Sequence, residues 1–571
     1  MSDASSPQAE YTQEVRFAIV MYGGVSLAIY INGVAQELLR MVRSTSQSER
    51  DEQDNPALIP VDKLKGTERI YRRLSYLLSD PHLLRDFRSS LEEQEALPPA
   101  DDVVDRRMST APVNTRFVVD ILSGTSAGGI NAIYLAKALA NDQQLDELKQ
   151  LWVSEGDIAL LINDKKSTMG LHLANQDPPQ SLLNSRRMYL KLLRALQGME
   201  AFKPRQRGFN SPHVDELDLF ITTTDIQGLT LPLRLSDTIV YEKRHRNVFH
   251  FKYENPEATG KYRNDFLGTN DPFMAFAARC TSSFPFAFEP MRLCDIDEVL
   301  DLFPQYRNDP ACRSNSDDWK AFFRENVDAE TGKTVDFTDR SFGDGGYLDN
   351  KPFTFATETL SRRDAPVLVD RKLIYIEPSP EHPEDELQQN IKPQALENVK
   401  AALLDLPTYE TIREDLQRLM DRNGLLRRVN RIARDIEGDL DQSNTERPAL
   451  KEGEWVTFDL ADMTRRFGPY YIPYRRLRIS DTTDQLAKLV ARAADLDENS
   501  AHFTAVRYLI RAWREINYPD YHSKGKEAGS EAGGAAETSQ RTINQFLADF
   551  DFKYWLRRMT FIRSKVDQLY K

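Results

Sequence analysis

Residues 124–129 read Gly-Thr-Ser-Ala-Gly-Gly and lie between an apolar run at 116–122 and a helix-like run at 130–140. A serine flanked by glycines at a tight turn from a strand into a helix is typical of a nucleophile elbow. Such a turn leaves no room for side chains at Gly124 and Gly128. It also holds the serine at a helix N-terminus, where unpaired N–H groups favour negative charge. The stretch predicts Ser126 as a nucleophile, with an incidental serine in a glycine-rich turn as the alternative.

A second strand-turn-helix unit is predicted near the start of the chain. Residues 15–21 form an apolar strand candidate, and residues 25–43 have apolar positions near the helical period. The stretch 17–34 is also about as long as a marginal membrane span, but the glycine pair in its middle favours a strand and a helix. With strand candidates at 217–224 and 372–376, the pattern predicts a three-layer α/β/α fold with a mostly parallel sheet.

The length of 571 residues exceeds what one core usually serves. We predict a polar N-terminal tail at 1–14 and an α/β domain at 15–383, with insertions near 44–115 and 292–338. Beyond it, at 384–571, the chain is rich in Leu, Arg, Glu and Asp and predicts a helical appendage. A Gly, Ala, Ser and Glu bias near 525–540 predicts a disordered loop within it.

The charge balance and the cysteines narrow the function classes. A net charge of −13 argues against nucleic acid as the main partner, because phosphate contacts need clustered Lys and Arg. The three cysteines, Cys280, Cys294 and Cys312, lack the spacing of metal ligands, and we expect no metal site. No cofactor is expected either. The polar N-terminus lacks the basic start of a secretory signal, which predicts a cytoplasmic location.

A serine nucleophile needs a base, and the sequence offers two kinds. His382 is the best placed of eight histidines, because an α/β-hydrolase carries its histidine in a loop after a late strand. Residues 342–346, Phe-Gly-Asp-Gly-Gly, offer Asp344. Its glycine neighbours allow another loop to approach closely, and partial exclusion of water would raise the pKa of the carboxyl. A turn with a capping aspartate is the alternative for this segment.

Residues 21–26 read Met-Tyr-Gly-Gly-Val-Ser at the first strand-to-helix junction. Consecutive small residues allow backbone N–H groups to point at one spot, where they would receive the oxyanion formed in acyl transfer. The candidate donors are Gly23, Gly24 and Val25. Close helix-strand packing or a phosphate-binding turn would explain the glycines equally well.

The three segments, in their order along the chain (21–26, 124–129 and 342–346), resemble those of the patatin-like lipid acyl hydrolases. The resemblance covers roughly residues 12–380. Residues 222–225 and 277–285 are similar to further segments of that family. The chain differs from the family pattern at Val25, where a third glycine is usual, and at Leu27, where an arginine is usual. It is identified as a bacterial-type member with a C-terminal helical extension.

The resemblance implies a Ser126–Asp344 dyad that works without histidine, with an oxyanion hole at Gly23, Gly24 and Val25. It also implies supporting roles for the neighbouring glycines, which are Gly124, Gly128, Gly345 and Gly346. The implied reaction is cleavage of fatty-acyl esters of phospholipids or other acyl lipids, of phospholipase A type, through an acyl-enzyme.

The implied partner is a lipid, met at the inner membrane surface by a cytoplasmic, peripheral protein. The basic stretches 243–246 and 427–434 are candidates for contact with anionic headgroups. Two alternatives stay open: an α/β-hydrolase-type esterase with His382 as base, and a degenerate patatin-like protein that binds without turnover. Protein partners and the role of the helical region are not indicated by the sequence.

Overall fold

The computed structural model describes residues 9–24, 28–51, 53–79, 112–155, 158–173, 179–202, 208–234, 238–323, 336–363, 367–377, 416–426, 478–494, 496, 501–518, 543–551 and 559. The chain divides into two compact units, Met1–Asp415 and Leu416–Lys571.

The first unit alternates strands and helices. Its strands are β1 Ala9–Met21, β2 Glu49–Arg50, β3 Pro56–Ala57, β4 Val113–Gly124, β5 Glu216–Arg234, β6 Ile239–Glu254, β7 Arg263–Asn264, β8 Met291–Arg292, β9 Ser341–Asp344 and β10 Leu368–Ile376. Its helices are α1 Ala28–Ser44, α2 Glu68–Ser79, α3 Ser126–Asn141, α4 Asp146–Glu155, α5 Ile158–Leu161, α6 Ser185–Phe202, α7 Pro256–Thr259, α8 Asp271–Thr281, α9 Asp297–Leu300, α10 Pro304–Arg307 and α11 Phe353–Arg362. Short 3-10 turns lie at Val61–Lys63, Gly268–Asn270, Leu293–Ile296, Pro310–Cys312, Asp318–Phe322 and Gly345–Tyr347.

The central sheet has the strand order β10-β1-β4-β5-β6-β7. Strands β10, β1, β4 and β5 are parallel, whereas β6 and β7 extend the sheet in antiparallel fashion. Strand β9 pairs antiparallel with the far part of β5, and β8 pairs with β9. The predicted α/β class with a mostly parallel sheet is confirmed. Its parallel strands bring their carboxyl ends to one edge, where α/β proteins place their sites.

Strand β1 begins earlier than the sequence suggests. The prediction of a polar tail over residues 1–14 is wrong for residues 9–14, because these residues belong to β1. The buried Glu14 is paired there with Arg16 at 2.6 Å and with Arg116 at 3.4 Å. These ion pairs offset the cost of burying a carboxylate, so a charged residue can lie in a buried part of the strand. Residues 17–34 divide between β1 and α1, so the membrane-span alternative is wrong. Among the described residues, no helix has the length and apolar character needed to cross a bilayer.

The main core lies on one face of the sheet, under α1, α3, α6 and α8. Every residue of α3 is buried, as expected of a helix that is apolar on all sides. Helix α11 covers the other face, where Phe353 and Ala356 pack against Ala18 and Val20 of β1. Residues 292–323, predicted as part of an insertion, nevertheless contribute Trp319 and other aromatic side chains to the main core.

The second unit is helical in its described residues, with helices at 416–426 and 478–493 and further helices at Ala501–Asn517 and Ile543–Phe550. Ile479, Tyr518 and Phe546 form a small apolar cluster within it. The helical character predicted for this region is confirmed there. The predicted boundary at 383, the loop at 525–540 and the basic stretch 427–434 lie outside the described residues.

Candidate active site

Ser126 lies at the turn from β4 into α3, as the sequence predicts. Thr125 is extended, with φ −130° and ψ 142°, and Ser126 then takes a φ of +53° at the first residue of the helix. A positive φ is uncommon for residues other than glycine, and such strain is found at active sites where the surroundings enforce it. The serine is only 4% exposed. The backbone therefore has the geometry of a nucleophile elbow.

The elbow glycines are required by close backbone contacts. A Cβ on Gly128 would lie 2.5 Å from the carbonyl oxygens of Met21 and Tyr22. One on Gly124 would lie 2.8 Å from the Gly128 carbonyl oxygen. Because these neighbours are backbone atoms, they cannot move aside, and only glycine fits at either position.

A threonine of a different element holds the strained serine. The Ser126 N–H donates to Thr281 Oγ1 at 2.8 Å, and the Thr281 hydroxyl donates to the Thr222 carbonyl at 2.7 Å. Thr125 Oγ1 donates to the Asp349 carbonyl at 2.8 Å from the other side. Thr281 was not predicted as a site residue. The sequence indicated only that it lies in the segment 277–285, for which no role was predicted.

Asp344 is held at the end of β9 by backbone contacts. It lies opposite Thr223 of β5, and its N–H donates to the Ser283 carbonyl at 3.2 Å. The Gly346 N–H donates to the carboxylate Oδ1 at 2.7 Å. A Cβ on Gly345 would lie 2.4 Å from the Thr222 carbonyl oxygen, so the glycine allows this loop to press against β5. The close approach predicted from the glycines is therefore present.

The structure brings Ser126 and Asp344 together. Burial raises the pKa of Asp344 to about 7, and three interactions oppose that rise: the Gly346 N–H, a hydrogen bond from the Ser126 hydroxyl, and the charge of Arg279. The second oxygen, Oδ2, is buried and has no partner of ordinary geometry among the described residues. The Ser126 hydroxyl therefore lies close to the carboxylate, without an ideally aligned hydrogen bond to it.

Arg279 is a fully buried cation near the carboxyl that the sequence did not single out. Its guanidinium donates to Ser185 Oγ at 2.7 Å and to Ser283 Oγ at 3.1 Å, and it lies 3.9 Å above the Phe288 ring. Burial lowers its pKa to about 10, so it stays charged at neutral pH. The positive charge of Arg279 lowers the pKa of Asp344.

The predicted oxyanion turn lies beside the serine. A Cβ on Gly23 would lie 3.1 Å from Ser126 Cβ and 2.3 Å from Asn350 Oδ1. The Gly23 N–H, however, donates to the Asn350 carbonyl at 3.4 Å, so it is not free to receive an oxyanion in this state. Gly24 N–H finds no acceptor within the described part of the chain. Val25 and Leu27 lie outside the described residues.

Histidine plays no part in the described site. No histidine in the described ranges hydrogen-bonds to Ser126 or Asp344, and His382 lies outside them. Nor is any group of His, Cys, Asp and Glu there arranged to hold a metal ion. A cavity of about 620 Å³ opens elsewhere in the first unit, lined by Glu200, Tyr262 and Asn264 among others. None of its lining residues belongs to the site.

Comparison with known proteins relates part of the first unit to a protein family. Residues 113–357 match the family model of patatin-like phospholipases. Over these residues the chain is similar to patatin-like phospholipases. The match begins at Val113 and therefore omits β1 and the predicted oxyanion turn at Gly23 and Gly24.

An uncharacterised membrane protein of Mycobacterium tuberculosis is 29% identical over 380 residues. The alignment covers 66% of this chain but only 28% of that relative, so the chain spans little more than a quarter of its length. No solved structure matches the chain.

Proposed function

We propose that this chain is a lipid acyl hydrolase of phospholipase A type, with Ser126 as nucleophile and Asp344 as general base. The observation that carries the proposal is the contact between a strained serine at a helix N-terminus and a buried aspartate with a pKa of about 7. A base with a pKa near the working pH combines a useful deprotonated fraction with sufficient basicity. The patatin-like domain supports lipid hydrolysis as the general reaction.

The first step transfers the Ser126 hydroxyl proton to the Asp344 carboxylate while Oγ attacks the ester carbonyl carbon. The tetrahedral intermediate then collapses, the C–O bond to the lipid alcohol breaks, and Asp344 returns the proton to the leaving alkoxide. In the second step Asp344 takes a proton from a water molecule, which attacks the carbonyl carbon of the acyl-enzyme. The bond between that carbon and Ser126 Oγ then breaks, and Asp344 returns the proton to Oγ. The fatty acid is released and Ser126 is restored. The aspartate alternates between base and acid, so no further proton carrier is needed.

The oxyanion would be received by backbone N–H groups beside the serine. Gly24 contributes one candidate, and the first turn of α3 after Ser126 contributes others, since first-turn N–H groups lack intrahelical partners. Each donor of this kind is typically worth roughly a hundred- to a thousandfold in rate. Participation of Gly23 would require its bond to the Asn350 carbonyl to break when substrate binds.

A fluorophosphonate probe tests whether the serine is activated. We expect covalent labelling at Ser126, located by mass spectrometry of the digested protein, and no labelling in Ser126→Ala. The same variant should lose release of fatty acid from phosphatidylcholine micelles and hydrolysis of a soluble short-chain ester. Labelling at another residue, or ester hydrolysis that survives Ser126→Ala, would remove the proposal.

A second candidate is a patatin-like protein that binds a ligand without turnover. The observation that favours it is the Gly23 N–H, which is bonded to Asn350 rather than turned toward the serine. This candidate predicts an intact fold, lipid binding and no reaction with the probe. His382 offers a further distinction, because His382→Ala should leave activity unchanged in a Ser–Asp dyad and abolish it in a histidine-dependent esterase.

A cytoplasmic location with peripheral contact to the inner membrane is also part of the proposal. It is motivated by a lipid substrate and by the absence of a membrane-crossing helix among the described residues. Fractionation of cells that express the full-length natural protein tests it: release from membranes by high salt is expected, and resistance to carbonate extraction would contradict it.

A further inference from the structure

We propose that the outer part of the β5–β6 hairpin is a docking element that inserts into an anionic phospholipid surface. We call it the ribbon, and it comprises residues 231–232 of β5 and 239–244 of β6. The inference rests on the proposed function, because it explains how a water-insoluble ester would reach Ser126. It concerns a surface separate from the dyad, so it can be tested separately.

The ribbon projects from the edge of the sheet that carries the site. Strand β5 runs parallel to β4, whose end leads into the elbow, and it pairs with β4 as far as Ile221 and with β9 as far as Asp225. From Leu229 onward, among the described residues, it pairs only with β6, from Leu229 opposite Arg244 to Arg234 opposite Ile239. A two-stranded ribbon is marginally stable in water unless something packs against it.

Apolar side chains are exposed on both faces of the ribbon. Ile239, Val240 and Tyr241 are 51%, 44% and 55% exposed, and they are consecutive residues of one strand. Successive side chains of a strand point to opposite faces. A protein partner that packs against one face would leave the other in water, whereas a fluid lipid phase covers both. The two-sided exposure therefore favours a bilayer as the occupant.

Basic side chains follow the apolar ones toward the body of the protein. Lys243 and Arg244 are exposed, and Arg246 follows them, while Glu242 is the acidic residue of the stretch 239–246. At about 3.3 Å per residue, Lys243 lies roughly 7 Å behind Tyr241 and roughly 10 Å behind Val240 along the strand. That separation matches the depth to which interfacial segments bury their apolar side chains below the headgroups. The local charge complements anionic headgroups although the chain as a whole carries −13.

The hairpin residues between the ribbon and the body of the sheet touch the turn that carries Asp344. Arg246 donates to the Leu348 carbonyl at 2.7 Å, and a Cβ on Gly343 would lie 2.9 Å from Ile226 Cδ1. On the other flank of Asp344, the segment after Ser283 exposes Phe286 at 83%. An inserted ribbon would therefore hold the site edge of the sheet against the membrane.

Vesicle sedimentation tests the ribbon with two double variants. Lys243→Gln with Arg244→Gln should weaken binding to vesicles of phosphatidylcholine and phosphatidylglycerol by roughly thirtyfold at low salt, from about 1 kcal/mol per basic residue. Binding to pure phosphatidylcholine should change little. Val240→Ser with Tyr241→Ser should weaken binding to both kinds of vesicle by roughly tenfold or more, because it removes buried apolar area.

Ile70→Ser is the matched control. Ile70 is 60% exposed on α2, whose Ser75 bonds to the Thr115 carbonyl near the start of β4, at the opposite edge of the sheet. This variant should bind vesicles like the wild type. All ribbon variants should hydrolyse a soluble short-chain ester at the wild-type rate, and lose activity only on vesicles.

The outcomes separate the two proposals. Failure of the wild type to hydrolyse the soluble ester would refute the proposed function, while sedimentation would still report on the ribbon. Wild-type sedimentation equal to that of the ribbon variants would refute the ribbon. A change in molar mass by light scattering in the ribbon variants, without a change in sedimentation, would assign the ribbon to contacts between copies of the chain and overturn the membrane proposal.

Discussion

Two buried aspartates beside β5, Asp218 within it and Asp344 on the strand paired with it, have pKa values shifted in opposite directions. Asp218, early in β5, accepts from His250 Nε2 at 2.5 Å and pairs with Arg363. Burial would raise its pKa, but these partners outweigh the effect and the pKa of Asp218 is lowered. Asp344, opposite the far part of β5, has Arg279 as its nearby cation and a pKa raised to about 7. One carboxylate is neutralised by partners, and the other is kept available for a proton.

The comparison predicts the largest difference in activity. Asp344→Asn should lower kcat on a soluble ester by roughly 10²–10⁴-fold, the usual contribution of a general base, because the amide cannot accept the serine proton. Asp218→Asn should leave the kcat of the folded protein within about twofold, since no reacting group depends on it. Active-site titration with the fluorophosphonate probe corrects both values for folded enzyme. Equal losses in the two variants would contradict the separation of roles.

The order reverses for stability. Asp218→Asn should destabilise the first unit by about 3 kcal/mol, because it leaves the buried Arg363 with one partner fewer. Hydrogen exchange of the β5 amides measures the free energy of unfolding of the first unit. It does not require both units to unfold in a single transition. Asp370→Asn is the control, since its side chain is 61% exposed and its pair with Lys372 should contribute little. Similar exchange rates in both variants would show that the Asp218 partners do not stabilise the sheet.

The raised pKa of Asp344 predicts a pH-dependent stability penalty. Its unfolded carboxyl ionises near pH 3.8 and its folded carboxyl near 7, so the fold loses stability as pH rises between those values. Asp344→Asn removes this dependence. The variant should gain stability relative to the wild type, by on the order of 2 kcal/mol between pH 5 and pH 8. A stability difference that stays constant with pH would mean that the carboxyl is not ionising at a raised pKa.

Thr281→Val tests the support of the strained serine. The Ser126 N–H would be left buried without its acceptor, a loss of about 1–2 kcal/mol, and we expect roughly a tenfold lower kcat on the soluble ester. Thr281→Ser keeps the hydroxyl and should retain most of the activity. If valine were tolerated as well as serine, the hydrogen bond would not hold the elbow.

The smallest expected effect concerns the pH profile. Asp344 must be deprotonated to act as base, so kcat/KM should rise with pH up to about 7 and then level off. The Arg279 charge lowers the pKa of Asp344, so Arg279→Gln should move that inflection to higher pH, and Arg279→Lys should move it less. A lower kcat with an unmoved inflection would restrict Arg279 to a structural role.

The local motifs were predictable because their causes are local. The elbow at Ser126 follows from glycines that allow backbone contact and from an apolar strand before an apolar helix. The predicted polar tail was wrong from Ala9 onward, because partners far along the chain, such as Arg116, neutralise Glu14 and admit it to the strand. Composition alone cannot reveal such a pairing.

The sequence by itself determined the parallel α/β sheet, the serine at the strand-to-helix turn and the glycine-fenced aspartate, since each depends on neighbouring residues and on the period of apolar side chains. The resemblance implied the pairing of Asp344 with Ser126, but only the tertiary structure decided that Thr281 and Arg279 lie beside them and that Gly23 donates to Asn350. Those contacts join elements many residues apart. Burial, which sets the pKa of Asp344, is a property of the packed molecule and of no single segment.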